Sequence, residues 1–143
     1  MYLDIDSLIP AKLDSFISPN DSAVIALEGN QRCYVQYALF YEAGHPFLEK
    51  ALAHIIENLK HNKYPFDVHL MTGPTAYTKG IQEALRSAPS TSYKQLGTDY
   101  EKKVMFSYPM SKTVLYGFRR KNHWRTLAES TPVLKAEEEF ELA

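Results

Sequence analysis

The sequence contains one cysteine and no long apolar run, and these two shortages exclude several classes of protein. Cys33 has no second cysteine to pair with, which excludes an internal disulfide and any metal site built from several cysteines. The sequence also predicts no membrane-spanning helix and no signal peptide, because it lacks a long apolar stretch and a basic segment followed by an apolar one at its start. We therefore expect a cytoplasmic protein.

An excess of charge of either sign is also missing. The chain has 16 lysine and arginine residues against 17 aspartate and glutamate residues, for a net charge of -1. This balance argues against a partner such as nucleic acid, which is bound by strongly basic surfaces. The basic run Arg119, Arg120 and Lys121 can hold a phosphate group or lie at the periphery of an anionic membrane, but a solvated charge run explains it equally well.

Apolar and aromatic residues are plentiful. Hydrophobic residues make up 45% of the 143 positions, and ten tyrosines and seven phenylalanines are among them. This length and composition fit one globular domain with a sizeable core. We predict that residues 1–130 form this domain and that residues 131–143 form an acidic, solvated C-terminal tail.

The order of the predicted elements is typical of an α/β fold. The clearest element is a helix within residues 45–62, which begins near Pro46. Its predicted buried face carries Leu48, Ala51, Leu52, Ile55, Ile56 and Leu59. A helical turn is predicted within residues 10–17, and a second helix after a tight turn at 72–74. Strands are predicted at residues 1–6, 22–29, 33–44 and 68–71, and in two runs within 103–118. For residues 33–44 a short helix is the alternative.

The histidines show no spacing that is typical of a metal site. His45 precedes the helical proline and is predicted to cap or pack against the helix. We expect His54 and His61 to lie exposed on the flank of this helix, and His69 to have a structural position on the short strand at 68–71.

Two acidic residues, Asp4 and Asp6, close the first predicted strand. On a strand, residues two apart point the same way, so both carboxylates are expected on one face. Two such anions repel each other unless a cation lies between them, and Mg²⁺ or Mn²⁺ suits oxygen ligands. The pair therefore predicts a divalent metal site, although an isolated D-x-D is also common where a strand simply ends in an acidic loop.

Phosphatases with an aspartate nucleophile also place D-x-D after an apolar strand. Their strand usually continues with a Gly-Thr pair, where this chain has Ser7 and Leu8. They also need a second acidic pair, for which Asp99 and Glu101 are a poor match. A phosphatase is therefore kept only as a weaker alternative.

Longer segments carry a more specific resemblance. They are, in order, YLDIDSLIPAKLDSFI, QYALFYEAGHPFLEKALAHIIENLK, DVHLMTGPTAYTKGIQEAL and NHW near the end. Over most of residues 2–125 this series resembles the glycosyltransferases of family 32, the D-x-D enzymes that include fungal mannosyltransferases and bacterial capsule or lipopolysaccharide transferases. The histidine-proline and threonine-glycine-proline helix starts, at this order and spacing, make the resemblance stronger than D-x-D alone.

The resemblance implies an α/β fold of the GT-A type, which is a nucleotide-diphospho-sugar transferase fold with a mixed sheet and flanking helices. The chain resembles the C-terminal portion of that fold. In the family, a βαβ nucleotide-binding half precedes the D-x-D strand, and no counterpart of it precedes Met1. We therefore expect that the isolated chain is poorly active, and that it associates with a missing N-terminal half or as a homo-oligomer.

The implied reaction moves a sugar from a nucleotide-diphospho-sugar to a hydroxyl of a glycan or lipid-linked acceptor, with retention. Asp4 and Asp6 are the implied catalytic and metal-binding residues, with Asp6 as the direct ligand of Mn²⁺ or Mg²⁺ and Asp4 bound to ribose or to the metal through water. His123 is the implied third residue at the metal or diphosphate. Its alternative is a surface histidine next to a half-buried Trp124.

Further candidates for substrate binding lie at turns. The resemblance implies that Thr72, Gly73 and Pro74 line the site at a helix start, where a capping turn is the alternative. Glu28 and Asn30 close a buried strand and can touch donor or acceptor hydroxyls, although a polar turn explains each of them too. Trp124 completes the predicted substrate-binding set. A non-catalytic remnant that keeps only the metal face is the remaining alternative.

Overall fold

The computed structural model of the protein describes residues 1–5, 7–106, 127 and 130–134. The strands are β1 (Tyr2–Leu3), β2 (Ser7–Leu8), β3 (Ala23–Ile25), β4 (Ala38–Tyr41), β5 (Lys94–Gln95) and β6 (Met105–Phe106). The helices are α1 (Pro46–Lys60), α2 (Val68–Met71) and α3 (Pro74–Ser87), with 3₁₀ segments at Leu13–Ser15 and Thr98–Lys102. The second predicted strand after Pro109 and most of the predicted tail lie outside these ranges.

Four of the strands form a mixed sheet in the order β1-β4-β3-β5. Both β1 and β3 pair with β4 in the antiparallel sense, whereas β5 pairs with β3 in the parallel sense. It follows that β1, β3 and β5 all run in the same direction. A separate antiparallel pair joins β2 to β6. The predicted α/β class with a mixed sheet and flanking helices is confirmed at this level.

The four-stranded sheet has a packed core on each face. On one face, α1 and α3 bury Ile25 of β3 against Phe47, Tyr77 and Ile81. On the other face, the Phe40 ring makes edge-to-face contacts with Phe16, at a centroid distance of 6.0 Å, and with Tyr100, at 5.4 Å. Aromatic pairs of this kind stabilise a core by about 0.5–1.5 kcal/mol beyond the area that they bury. The short strands are therefore held in place by cores on both sides.

Helix α1 begins as the sequence predicts. The His45 ring accepts a hydrogen bond at Nδ1 from the backbone N–H of Phe47 at 3.2 Å, and Pro46 follows at the first helical position. The imidazole thus caps one of the N–H groups that have no partner within the first turn. Proline needs no such partner and already has a helical φ angle.

The buried face of α1 differs from the predicted one. Leu52 is 58% exposed and Ile56 is 45% exposed, although both were expected in the core. Ala51 is buried as predicted, and the helix also buries Phe47 and Asn58, so its inward face is rotated away from Leu52 and Ile56. The contact with α3 lies on this side of the helix, where Gly80 lies against the backbone of Ala51.

Gly80 of α3 lies directly against α1. A Cβ atom at this position would lie 2.3 Å from the Cα atom of Ala51 and 2.5 Å from its backbone nitrogen. The two helices therefore approach each other backbone to backbone, which only glycine permits. Asn58 secures the same side of α1, because its side-chain amide donates to the carbonyls of Leu70 and Met71, each at 3.0 Å.

Residues 68–71 form a helix, and the predicted strand there is wrong. The carboxylate of Asp67 accepts a hydrogen bond from the backbone N–H of Leu70 at 2.9 Å and so caps α2. The predicted turn at 72–74 and the helix after it are confirmed. His69 consequently lies on a helix. His54 is half-buried, so its predicted exposure is also wrong, whereas His61 is exposed as expected.

Within the described ranges, each helix is too short or too polar to cross a membrane.

Candidate functional site

Asp4 directly follows β1, and the chain turns there. The backbone N–H of Asp4 donates to the carbonyl of Tyr37 at 2.8 Å, and the N–H of Ser7 donates to the carbonyl of Asp4 at 2.9 Å. The prediction of one strand across residues 1–6 is therefore wrong, and the argument that a strand points both carboxylates the same way does not apply. The Asp4 carboxylate accepts a hydrogen bond from the Tyr2 hydroxyl at 2.7 Å.

Several predicted site residues lie outside the part of the chain that the structure describes. They are Asp6, the predicted direct metal ligand, together with His123, Trp124 and the basic run Arg119, Arg120 and Lys121. Their predicted roles stay predictions.

Glu28 and Asn30 follow β3 in one turn. Glu28 Oε2 accepts a hydrogen bond from the Asn30 amide at 2.9 Å. The Asn30 carbonyl oxygen accepts from the backbone N–H of Arg32 at 2.7 Å, so Asn30 also closes the turn. Asn30 thus holds the Glu28 carboxylate in position, and the polar-turn interpretation of Asn30 describes its contacts in the structure.

The pKa of Glu28 is raised above its ordinary value. Burial is the main cause, and the negative charge of Asp99 adds to it. The hydrogen bond from Asn30 and the nearby His69 imidazole act in the opposite direction and lower the pKa. A half-buried carboxylate with a raised pKa beside a second carboxylate is typical of functional sites, although structural networks produce such shifts too.

Asp99 follows β5 and lies against the Glu28 turn. Its Oδ2 atom is 3.1 Å from the position that a Cβ atom of Gly29 would take, and its N–H donates to the carbonyl of Leu27 at 2.8 Å. The negative charge of Asp99 also acts on the Tyr37 hydroxyl. Burial together with the charges of Asp99 and Glu28 raises the pKa of Tyr37 well above its ordinary value, so this hydroxyl remains a hydrogen-bond donor.

The backbone around Asp99 has an unusual conformation. The φ angles of Asp99, Tyr100, Glu101 and Lys102 are 50°, 52°, 55° and 62°, so four consecutive residues that are not glycine lie in the left-handed region. This conformation costs roughly 1–2 kcal/mol per residue. The buried Tyr100 anchors the turn, because its hydroxyl donates to the carbonyl of Ala38 at 2.8 Å. The strained turn fixes Asp99 at the end of β5.

The threonine-glycine-proline turn lies at the junction of α2 and α3. The backbone N–H groups of Thr72 and Gly73 both donate to the carbonyl of Val68, at 3.0 Å and 2.8 Å, so they are not free to bind a ligand. Gly73 is needed for packing, because a Cβ atom there would lie 2.9 Å from the Cα atom of His69. Pro74 has no N–H to offer. The structure thus gives this turn a capping and packing role.

The strand directions bring the acidic residues to one edge. Since β1, β3 and β5 run the same way, Asp4, Glu28 and Asp99 all follow the carboxyl ends of strands in one sheet. We call these three residues, with Tyr37 and His69, the carboxyl edge. Ligands of open α/β sheets commonly bind outside this end of the strands. The threonine turn is linked to the same end through a 3.4 Å hydrogen bond from the Gln36 amide to the carbonyl of Thr72.

The carboxyl edge extends across the sheet. With neighbouring strands about 4.8 Å apart, Asp4 and Glu28 are separated by two strand spacings, roughly 10 Å. Among the described residues, no group of three or more histidine, cysteine, aspartate or glutamate side chains is arranged to hold a metal ion. Asp4 has the carboxylate chemistry that Mg²⁺ or Mn²⁺ prefers, and the second predicted carboxylate is Asp6.

The sequence reasoning missed Asp99, Tyr37 and His69 as members of this site. Asp99 was considered only as a poor phosphatase residue. Its place beside Glu28 depends on the parallel pairing of β5 with β3, which brings together residues that are far apart in the chain. A signal for Asp99 exists in the sequence, since it follows a short polar strand and a glycine, but that signal is common.

Comparison with known proteins gives no further guidance. No protein-family model matches the chain, and the searches of curated proteins and of solved structures found no similar protein.

Proposed function

We propose that the protein is a metal-dependent glycosyltransferase of the D-x-D type. It would move a hexose from a nucleotide-diphospho-sugar to a hydroxyl of a glycan or lipid-linked acceptor, with retention, on a GT-A-like scaffold. The observation that carries the proposal is the carboxyl edge, where Asp4, Glu28 and Asp99 follow three strands of the same direction. The type of reaction is taken from the resemblance of the sequence to the glycosyltransferases of family 32.

The acidic residues divide into two parts with different tasks. Asp4 and Asp6 are the residues that would hold Mn²⁺ or Mg²⁺. When bound, the ion supplies Lewis-acid stabilisation of the negative charge that develops on the leaving diphosphate. The Tyr2 hydroxyl, which already donates to Asp4 Oδ1, keeps this carboxylate oriented.

Glu28 and its neighbours are suited to hold sugar hydroxyls. Its Oε2 is oriented by Asn30, and its other oxygen remains a strong acceptor in a half-buried position. A hydrogen bond to a carboxylate is roughly twice as strong as one between neutral groups. The Tyr37 hydroxyl lies within the influence of both Asp99 and Glu28, so it adds a hydrogen-bond donor beside the two carboxylates.

A second candidate is a half-enzyme that acts only together with a partner chain. The observation that favours it is the exposure of large apolar side chains around β1 and β2. Tyr2 is 54% exposed, Leu8 is 43% exposed and Ile5 is fully exposed. Apolar groups that are exposed together are common at protein interfaces. In this case the carboxyl edge would bind the metal ion and the sugar of the donor, and the partner chain would bind its base and ribose.

The test is a panel of nucleotide-diphospho-sugars incubated with the protein and Mn²⁺, with sugar transfer, donor hydrolysis and donor binding measured. We expect Mn²⁺-dependent binding of at least one donor. Asp6→Asn and Glu28→Gln should each weaken this binding by about tenfold or more, since each removes a charged partner. Glu49→Gln is the matched control, because Glu49 is an exposed carboxylate on α1.

Three results would count against the proposal. Donor binding that is unchanged without Mn²⁺ would show that the protein does not need a metal ion to bind the donor. Equal donor binding by Asp6→Asn and the wild type would show that Asp6 is not the metal ligand. Hydrolysis of a simple phosphate ester with Mg²⁺, without any donor binding, would favour a phosphatase instead.

A further inference from the structure

Helix α1 carries two large apolar side chains on the side that faces away from α3. Leu52 is 58% exposed and Ile56 is 45% exposed, whereas the buried residues of the helix lie on the opposite side. Residues three or four positions apart share one face of a helix. One exposed row along α1, which we call the outer stripe, therefore consists of Glu49, Leu52, Ala53, Ile56 and Lys60.

The charges of the outer stripe lie at its two ends. Glu49 is in the first turn of α1 and Lys60 is in the last turn. Within the described ranges, neither side chain has an ion-pair partner. Each charge also suits the helix dipole at its own end, so the charges by themselves do not require a partner. Together with the apolar residues between them, they give the stripe an acidic end, an apolar centre and a basic end.

This pattern is complementary to its own reverse. When a second copy packs its α1 antiparallel across a two-fold axis between residues 54 and 55, Glu49 of each copy lies level with Lys60 of the other. The same register places the small Ala53 of each copy opposite Ile56 of the other, with Leu52 beside it. Because the two copies present the same surface to each other, every contact occurs twice.

We propose that the outer stripe is the interface of a homodimer in which two α1 helices pack antiparallel. Leu52 and Ile56 of both copies form the apolar centre, and this centre supplies most of the affinity because it removes apolar surface from water. Two ion pairs between Glu49 of one copy and Lys60 of the other flank the centre. Charged pairs at the rim of an interface contribute mainly to its specificity, so these two pairs fix the register.

Charge also decides the direction of the two helices. In a parallel pair, Glu49 would lie beside Glu49 of the second copy and Lys60 beside Lys60, and both contacts would be repulsive. In the antiparallel pair, the same four charges form two attractive contacts. The antiparallel arrangement is therefore the one that the outer stripe favours.

The size of the outer stripe sets the strength of the dimer. Helix α1 has 15 residues and is about 22 Å long, so one helix pair gives a smaller contact than a typical stable complex. We therefore expect a reversible dimer with a micromolar dissociation constant. This inference does not depend on the proposed transferase activity, because the outer stripe shares no residue with the carboxyl edge.

The experiment is sedimentation velocity of the protein and its variants at concentrations from about 1 μM to about 300 μM. We expect the wild type to shift from monomer to dimer over this range. Leu52→Gln and Ile56→Gln should each raise the dissociation constant about tenfold or more, because each change removes two apolar contacts from the symmetric dimer. Gln82→Lys is the control and should leave the dissociation constant unchanged, since Gln82 is exposed on α3, which packs on the other side of α1.

Charge variants test the antiparallel direction. Glu49→Lys alone and Lys60→Glu alone should each weaken the dimer about tenfold, because each change leaves like charges at both ends of the interface. An equimolar mixture of the two variants should dimerise at least as strongly as the wild type, because one partner then has two positive ends and the other has two negative ends. Any effect of a single change on the helix itself persists in the mixture, so recovery reports the contact between copies.

Three results would overturn the proposal. A wild type that stays monomeric at every concentration would leave the outer stripe to a different partner. A dimer that is equally strong in Leu52→Gln and Ile56→Gln would place the interface on another surface. A mixture of Glu49→Lys and Lys60→Glu that dimerises no better than either variant alone would exclude the antiparallel contact.

Discussion

His54 shows how much one side chain can depend on its surroundings. It lies on α1, and its Nε2 atom is buried without a hydrogen-bond partner in the part of the chain that the structure describes. Burial lowers the pKa of His54 below its ordinary value of 6.5. The charges of Lys79 on α3 and of Lys63 lower it further, whereas Glu83 on α3 raises it. The folded state therefore favours the neutral form of the imidazole.

The lowered pKa predicts a pH dependence of stability. Above the pKa that His54 has in the unfolded state, the imidazole is neutral in both states and costs no stability. As the pH falls from this value through the lower pKa of the folded state, stability is lost, because the unfolded state binds the proton more readily. We expect His54→Gln to lose less stability than the wild type between about pH 7.5 and about pH 5. The measurement is the melting temperature at both pH values.

His61 provides the matched control for this prediction. It lies on the exposed end of α1, where its Nε2 is 2.9 Å from a carboxylate oxygen of Glu57. His61→Gln should retain the wild-type loss of stability at low pH. An unchanged pH dependence in His54→Gln, together with an unchanged one in His61→Gln, would show that the buried imidazole is not responsible.

At the scale of the elements, α1 could be predicted well because its signals are local. Pro46 marks its start, and the apolar spacing that follows is helical over the length that the structure shows. The exact rotation of its buried face could not be predicted, because the contact with Gly80 of another helix turns Ala51 inward and leaves Leu52 exposed. Periodicity identifies the helix, but the partner determines its rotation.

Helix α2 shows the opposite case. It has only four residues, from Val68 to Met71, and three of them are apolar, so a run of this length fits a strand or a helix equally well. Asp67 decides the matter through its capping hydrogen bond to Leu70. Aspartate is common both in turns and at helix starts, so the sequence alone does not show that Asp67 caps a helix.

The candidate site could be predicted only in part. Glu28 and Asn30 were expected because they close a buried strand, and the structure places them at the carboxyl end of β3. Asp99 was not expected, because its place depends on strand order and on the left-handed turn that Tyr100 anchors. A helical or strand pattern contains no information about which strands become neighbours.

The contact between α1 and α3 gives a prediction at the same scale. Gly80→Ala places a methyl group 2.3 Å from the Cα atom of Ala51, so the helices must separate. We expect a loss of about 3 kcal/mol in the free energy of unfolding, even though alanine favours helix formation by about 1 kcal/mol over glycine. Urea unfolding followed by circular dichroism measures this loss.

Gln82→Ala is the control for the glycine variant, since Gln82 is exposed on the same helix. It should change the free energy of unfolding by less than about 0.5 kcal/mol. If Gly80→Ala were as stable as this control, the close approach of the two helices would be wrong.

At the scale of the whole molecule, the four-stranded sheet lies between two hydrophobic cores, and each core depends on the sheet for one of its sides. Side chains of β3 and β4 pack against α1 and α3 on one face of the sheet. On the other face they pack against Phe16 and Tyr100. Strands of two to four residues contribute few hydrogen bonds, so their stability depends on these side-chain contacts. Loss of one core therefore exposes the other.

This shared sheet predicts that the two cores unfold together. Thermal unfolding followed by far-ultraviolet circular dichroism, which reports the helices, should coincide with unfolding followed by near-ultraviolet circular dichroism of the tyrosines. Tyr100→Phe removes the hydroxyl bonded to Ala38 and should lower stability by about 1–2 kcal/mol in both signals alike. Two separate transitions would show that the faces are independent.

The central claim is that the carboxyl edge is the place where the metal and the donor meet. The most direct measurement is a crystal soaked with Mn²⁺ and a nucleotide-diphospho-sugar, with the manganese located by its anomalous scattering. We predict a manganese peak bonded to carboxylate oxygen from Asp4 or Asp6, with the diphosphate beside it and the sugar towards Glu28. A donor bound elsewhere on the protein, with no manganese at this edge, would contradict the account.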